Sequence, residues 1–376
     1  MKREDAGFFK SSEDADFKKM LKSISANKES GMFFMLAEQS VQEVDKIRRL
    51  ANELSIKLAG AVFPGLIVEG EIKLAGFIVF HYKHFPPAVL VKDLDNNLEQ
   101  SVRKLESFIN DNEGSSGNTL YMFMDGGLLH VATFLDALYQ EVADQVHYLG
   151  SGCGSETNAA MPCVFDNDEF VKQGLVAMLL PYESDPVLEH GYRPQNKLLS
   201  VGEIDHNRIT TIDWKPAFAS YEEIVNEIHG QEIELKKDDL FSQSVHYPFG
   251  IQRLDGENIV RIPTMVSPDG GIYCAGEIPK NSVICMMDPV VPGSEETVNS
   301  IVERIGENKT GVMLVFYCVG RKVHLGQKAS EEIGKLADKL SPSSIFGALS
   351  TGEIGNSKKG GYPLLQNACI LCSIVR

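Results

Sequence analysis

The sequence predicts an α+β fold: two domains built from repeated strand–helix–strand–strand units, with β-sheets covered by helices. Three observations predict it. Apolar runs rich in β-branched and aromatic residues alternate with segments whose apolar residues recur every three or four positions. That alternation occurs over residues 32–71, 120–156 and 312–353, in blocks of about 40 residues, a period that marks repeated architecture. Each block closes on a glycine-bearing polar turn and a glutamate: Gly70-Glu71, Gly154-Ser155-Glu156 and Gly352-Glu353. Residue identities barely match between blocks, so the likeness is one of layout.

Residues 1–30 are polar and charged, and Phe17, Met20, Leu21 and Ile24 place a short helix there, packed on the body. In the first block Met32-Phe33-Phe34-Met35-Leu36 reads as a strand. Val44, Ile47 and Leu50 line a helix, and a further strand ends near Gly65. Leu98, Val102, Leu105, Phe108 and Ile109 give another helix, followed by a surface loop over 111–118. The second block repeats the pattern. Strand Leu120-Tyr121-Met122-Phe123-Met124 leads to the turn Asp125-Gly126-Gly127 and a helix through Leu135, Leu138 and Val142. A strand over 145–149 then enters Gly150-Ser151-Gly152-Cys153-Gly154.

Beyond Glu156 the pattern is β-like: a strand over 174–180, a Gly/Pro-punctuated turn over 189–194, and paired strands over 200–204 and 208–212. Pro216 stands near the first turn of a helix. The charged stretch 230–239 marks a boundary, giving an extension (1–30), a first domain (31–230) and a second (240–376). Strands over 271–276 and 282–287 precede the third block. There a strand over 312–317 is followed by a helix through Ala329, Ile333, Leu336 and Leu340, stopped by Pro342. A last strand over 344–349 runs into Ser350-Thr351-Gly352-Glu353.

Of 376 residues 43% are hydrophobic and 23% charged, ordinary for a soluble globular chain. No apolar run reaches the roughly 18 residues of a membrane span. The N-terminus lacks the apolar centre of an export signal, so a cytoplasmic protein is expected. The net charge of −16 repels phosphate backbones and argues against nucleic-acid binding. Seven scattered cysteines in such a chain predict reduced thiols. Cys369 and Cys372 fall three apart within a strand pattern, face opposite sides and do not clamp one ion; they read as buried small hydrophobes.

Several motifs, in order, carry a family resemblance. The first half has Asp125-Gly126, Gly150-Ser151-Gly152-Cys153-Gly154, His190-Gly191-Tyr192-Arg193-Pro194, and Trp214-Lys215-Pro216-Ala217 leading to Tyr221. It resembles the N-terminal FIST domain. The second half has His246-Tyr247-Pro248-Phe249-Gly250, the run from Val315 to Arg321, and Ser350-Thr351-Gly352-Glu353-Ile354. It resembles the C-terminal FIST domain. The resemblance implies a signal-input protein that binds a small molecule and is not an enzyme. Its freestanding branch implies more: a bacterial haem b protein that senses nitric oxide gas and regulates a partner sensor histidine kinase in two-component signalling. His190 departs from the family pattern, where many members carry another polar residue, which implies a ligand of its own.

The candidate ligand-binding residues are the polar and glycine positions at strand ends and in the turn: Asp125, Gly126, Gly152, Glu156, His190, Gly191, Arg193, Cys318, Arg321, Gly352 and Glu353. A haem needs an axial donor in an apolar pocket. His190 is the first candidate, beside Gly191, where backbone can approach a flat ligand. Tyr192 would serve as a ring wall and Arg193 as a propionate partner; His130 and His246 are runners-up. The bland reading of His190 is a solvent-facing turn residue. A second functional reading needs no haem. Arg321 would pair the carboxylate of an amino acid or similar metabolite, and Glu156 and Glu353 its ammonium. Asp125 would join that pocket or cap the following helix. A third reading is a thiol hydrolase or transferase, with Cys318 as nucleophile, His324 as partner and Arg321 lowering the thiol pKa. It lacks an orienting third residue. Gly150 to Gly154 is no dinucleotide fingerprint, because its third glycine comes one residue early and a β-like stretch follows.

Overall fold

The structure is a computed structural model. It describes residues 5–112, 118–157, 159–230, 234–253, 256–288, 291, 295–306, 311–341, 343–357 and 361–375. The three blocks are three strand–helix–strand units. Unit one is Gly31–Ala37, Glu43–Glu53 and Lys57–Phe63; unit two is Asn118–Asp125, Val131–Val142 and Val146–Cys153; unit three is Val312–Cys318, Lys328–Leu340 and Ser344–Ser350. The two strands of each unit pair in parallel, as a helical crossover requires. All six strands are buried on both faces over nearly their whole length. That is why they read as unbroken apolar runs instead of alternating ones.

The strands that follow each unit join a different unit. The hairpin after unit one (Gly65–Val68 with Glu71–Lys73) completes the sheet of unit three, with Gly65 opposite Leu349. The hairpin after unit three (Glu353–Asn356 with Pro363–Gln366) completes the sheet of unit two, with Glu353 opposite Ser151. The hairpin after unit two (Val164–Asp166 with Phe170–Val171) completes the sheet of unit one, with Val164 opposite Ala61. Three six-stranded sheets result, each in the same order: an edge strand, an antiparallel strand, the unit's own pair, then the borrowed hairpin. The exchange is cyclic, so the sheets form a pseudo-threefold ring. Strands from both sides of residue 230 share two of the sheets.

One face of each sheet meets the others in a common core, where Phe33, Phe63, Phe123 and Phe316 are in ring contact at 4.8 to 6.1 Å. Such pairs contribute about 0.5–1.5 kcal/mol each beyond their burial. The second strands carry a glycine at the same place. Gly60, Gly150 and Gly347 stand beside Phe34, Met122 and Val315 on the parallel neighbour.

Residues 193–288 form a smaller layer of two four-stranded antiparallel sheets with helix Ala217–His229 packed on them. Glu277 ties this layer to the ring. Its carboxylate accepts from Ala132 N–H at 2.7 Å and Thr133 N–H at 3.1 Å, at the N-terminus of the unit-two helix. Those donors have no partner inside the helix, and negative charge suits that end of its dipole. Glu277→Ala is expected to cost about 1–2 kcal/mol. The check is the urea midpoint, which should fall at constant m-value; an unmoved midpoint would mean that the contact carries no stability.

The N-terminal extension holds the expected helix, Ala15–Ile24, with Phe17, Leu21 and Ile24 buried. It also holds a strand the polar composition did not predict, Ala6–Phe9, which edges the unit-one sheet. The stretch after Cys318, read only as the end of the strand, is a short helix, Val319–Leu325. Residues 113–117 of the expected loop, 231–233 of the expected boundary, and Pro342 lie outside the described residues.

Candidate functional site

Three matching bonds place the strand ends in register around the ring: Ala37 N–H to Gly76 O at 3.0 Å, Asp125 N–H to Gly174 O at 3.0 Å, and Cys318 N–H to Cys369 O at 3.1 Å. Unit one ends in alanine. Units two and three end in Asp125 and Cys318, and a cavity lies at each of these two ends.

The cavity at unit three has a volume of about 360 Å³, within the range of small-molecule sites. Leu188 to Tyr192 form one wall, Gly256, Glu257 and Asn258 of the small layer another, and Gln366 and Cys369 the floor. Gly191 has φ 77°, a turn conformation that favours glycine. The carbonyl of His190, at the start of that turn, accepts from Arg321 Nη1 at 2.7 Å.

Arg321 is fully buried. Its Nε and Nη2 donate to the two oxygens of Glu332 at 2.8 and 2.6 Å, and Tyr317 Oη donates to the same carboxylate at 2.6 Å. Burial alone would lower the guanidinium pKa, but the Glu332 bonds hold it above its ordinary value. Arg321 is therefore a strut that fixes the His190 turn to unit three, not the expected hand for a ligand carboxylate.

His190 Nδ1 accepts from Tyr192 N–H at 3.0 Å, which leaves the ring proton of the neutral imidazole on Nε2. A haem-ligating histidine needs the reverse: a bare nitrogen on iron and an N–H donated elsewhere. Glu189, Glu257, Asn258 and Gln366 also make the cavity polar where a macrocycle wants an apolar slot. Arg193, the expected propionate partner, is exposed and pairs with Glu296 at 2.7 Å. His130 packs edge-on against His206 at 4.6 Å, and His246 Nδ1 meets His324 Nδ1 at 2.7 Å. These residues as placed do not fit a haem. Among the described residues no cluster of three or more His, Cys, Asp or Glu is set to hold a metal ion.

The cavity at unit two, about 160 Å³, is lined by Asp125, Gly126, Gly127, Cys153 and Thr351 among others. Asp125 accepts from Gly127 N–H at 2.9 Å and Gln173 N–H at 2.7 Å, so its carboxylate closes the turn. A Cβ on Gly126 or Gly152 would stand 2.0 or 2.3 Å from Thr351 Oγ1; glycine is what admits Thr351 between the strand ends. Gly352, at φ 155°, leads directly into Glu353. The three glutamates that end the blocks have unrelated places. Glu71 is exposed beside Lys73, Glu156 pairs with Lys322, and Glu353 is fully buried. Glu156 and Glu353 do not converge on one ammonium site.

Glu353 Oε1 accepts from Ser350 Oγ at 2.5 Å and Oε2 from Cys369 Sγ at 2.9 Å, and the Cys318 thiol lies close enough to feel the charge of the same carboxyl. Burial pushes this carboxyl up to about 8 against the pull of those bonds. Burial and the Glu353 charge also push the Cys318 thiol up, the opposite of an activated nucleophile. His324 is engaged with His246, so the expected Cys318–His324 dyad is not formed. Because Glu353 keeps its proton in the fold and releases it on unfolding, its contribution to stability is full below about pH 4.5 and is lost as pH rises through about 8. Glu353→Gln should flatten that decline in urea titrations run across the window; parallel curves for the two proteins would refute it.

Sequence reasoning missed Glu332, Gln366 and the cavity role of Cys369. Glu332 left one signal, a carboxylate beside Ile333 on the apolar side of its helix. Gln366 bonds Val260 N–H and Asn258 O, both at 2.9 Å and both more than 100 residues away. No local pattern could show that.

Residues 32–215 match the FIST N domain and residues 217–356 the FIST C domain. No curated protein matches the chain. The seam falls at Pro216, where helix Ala217–His229 begins in the small layer. FIST domains are signal-transduction domains that sense small ligands. Among the described residues no helix is long and apolar enough to cross a membrane. With the two domains in tandem over most of its length, the chain belongs to the FIST-domain proteins.

Proposed function

We propose that the protein is a cytoplasmic sensor whose ligand occupies the cavity between unit three and the small layer, and that this ligand is a small metabolite bearing an amine or similar donor group. The make-up of the wall carries the reading. Glu257 places a carboxylate on the wall, where Ser357 Oγ donates to its Oε2 at 3.1 Å, and two guanidiniums nearby are committed to protein groups. Arg321 holds Glu332 and His190 O, and Arg304 holds Glu189 Oε1 at 2.7 Å and Leu188 O at 3.0 Å. A bound molecule would touch both the His190 turn and the Gly256–Asn258 segment. Occupancy would thus reset how the small layer sits on the ring, and that shift is the output. Haem, nitric oxide and a partner histidine kinase rest on the family resemblance alone, and the cavity offers them no matching group.

The test is a thermal-shift screen of amines, amino acids and carboxylates. A ligand at 100 times its Kd adds about 2.7 kcal/mol of stability. Amines should shift the melt of the wild type, and Glu257→Gln should abolish that shift while leaving the unliganded melt in place. Shifts from carboxylates only, or amine shifts that survive Glu257→Gln, would refute the assignment. A Soret band on adding haemin that disappears in His190→Ala would put the haem reading in its place.

A further inference from the structure

The thiol cluster under the cavity plays no part in that ligand reading, and its geometry stands on its own. Strands Val312–Cys318 and Ile370–Val375 run antiparallel with Tyr317 opposite Ile370. The next rung sets Cys318 opposite Cys369, joined by the 3.1 Å bond from Cys318 N–H to Cys369 O. Residues so placed have Cα atoms about 4.5–5.5 Å apart, inside the span a disulfide bridges. Cys369 Sγ donates to Glu353 Oε2 at 2.9 Å, and the Cys318 thiol lies close enough to feel the charge of the same carboxyl. Cys369 forms part of the cavity floor, and Cys318 lies behind it. A fully buried carboxyl bonded by a hydroxyl and a thiol, with a second thiol nearby, is an expensive arrangement for packing alone.

We propose that Cys369 and Cys318 are a hydroperoxide-reactive thiol pair that closes to a disulfide, with Glu353 as the shared proton acceptor. The first step starts from the Glu353 carboxylate, the form gained as pH rises through about 8: it takes the Cys369 proton and the sulfur attacks the near oxygen of the hydroperoxide. The O–O bond breaks, the leaving alkoxide or hydroxide takes the proton from Glu353, and Cys369 becomes a sulfenic acid. In the second step Glu353 takes the Cys318 proton, and that sulfur attacks Cys369. The S–O bond breaks and the departing hydroxide leaves as water with the proton from Glu353. Two thiols and one hydroperoxide give one disulfide, one alcohol (or water) and one water. The cluster makes this possible because a single negative charge can move from carboxylate to sulfur without a second buried charge appearing. Burial raises both thiols, so the reaction is slow at neutral pH and quickens as the cluster ionises.

The experiment treats the reduced full chain with hydrogen peroxide or cumene hydroperoxide at pH 7 and pH 9, blocks residual thiols, and maps peptides by mass. The expected product has lost two hydrogens and contains one cross-link, Cys318 to Cys369, formed faster at pH 9. Cys318→Ser should stop at a sulfenic acid on Cys369, trapped by dimedone, and Cys369→Ser should give neither product. Glu353→Gln should slow closure by at least about tenfold, the loss expected for a general base. A cross-link confined to Cys153 and Cys163, dimedone labelling on Cys318 instead, or native thiols that stay inert while urea-unfolded chains oxidise would each overturn the proposal. Should Glu353→Gln fail to fold, the two serine variants decide the matter alone.

Discussion

Arg321→Ala is expected to cost about 3–5 kcal/mol, the penalty of leaving one half of a buried ion pair without its partner. Among the described residues Glu332 would keep only the bond from Tyr317 Oη at 2.6 Å. That loss is a large share of the 5–15 kcal/mol that holds a typical protein folded, so the variant should be largely unfolded at 37 °C or recovered in low yield. The informative comparison is the double variant Arg321→Met with Glu332→Leu. Replacing both partners by apolar groups of similar size is often neutral or better, so part of the stability should return, short of wild type because Tyr317 Oη loses the acceptor it now has at 2.6 Å. The His190 carbonyl would still lack the donor that now reaches it at 2.7 Å. Urea unfolding and the ligand thermal shift, measured on the same three proteins, separate the two roles. The single variant should lose stability, and the double variant should regain part of it without regaining the ligand response. If the double variant responds to ligand like wild type, Arg321 does not position the cavity wall.

Gly347→Ala should cost about 3 kcal/mol or more, at the upper end of overpacking penalties. A Cβ there would lie 1.8 Å from Val315 O, an atom of the neighbouring central strand that no side-chain rotation can move. The equivalent Gly150 would meet Met122 O at 2.0 Å and should behave alike. Gly60 should suffer less: its nearest obstacle is the Phe165 ring at 2.3 Å, which can turn aside, and Phe34 O is 2.8 Å away. Gly334, inside the unit-three helix, has nothing within 4 Å of an added Cβ. Alanine there should stabilise by about 0.5–1 kcal/mol, the intrinsic helix preference. Urea midpoints for the four alanine variants therefore have a set order, with Gly334→Ala above wild type, then Gly60→Ala, and Gly150→Ala and Gly347→Ala lowest. Equal losses at Gly60 and Gly347 would mean that the Phe165 ring cannot turn aside.

Much of the frame was legible because the signals were local. The six central strands are buried on both faces, so each reads as an apolar run, and each crossover helix keeps its apolar residues three and four apart. Their recurrence in three blocks was visible for the same reason. The gathering of polar residues at strand ends was visible too, since the apolar runs stop at polar or glycine-bearing segments. At the site this legibility thinned. His190 and Gly191 do line the larger cavity, and Asp125 and Gly126 the smaller. Arg321 and Arg193 were expected to face a ligand. One is spent on Glu332 and the other on Glu296, partners that no spacing rule links to them.

By itself, then, the chain determined its strand–helix–strand units and where each one stops, because hydrophobic period and turn chemistry act between residues near in sequence. Which sheet each trailing hairpin joins was decided only in three dimensions. The hairpins at Gly65, Val164 and Glu353 all present exposed edge donors and acceptors that any parallel pair could satisfy. The choice falls to the common core, where Phe33, Phe63, Phe123 and Phe316 from all three units must pack at once. The same packing brings Cys369, Glu353 and Cys318 into one cluster, and sets the His190 turn, Gln366 and Glu257 around the cavity.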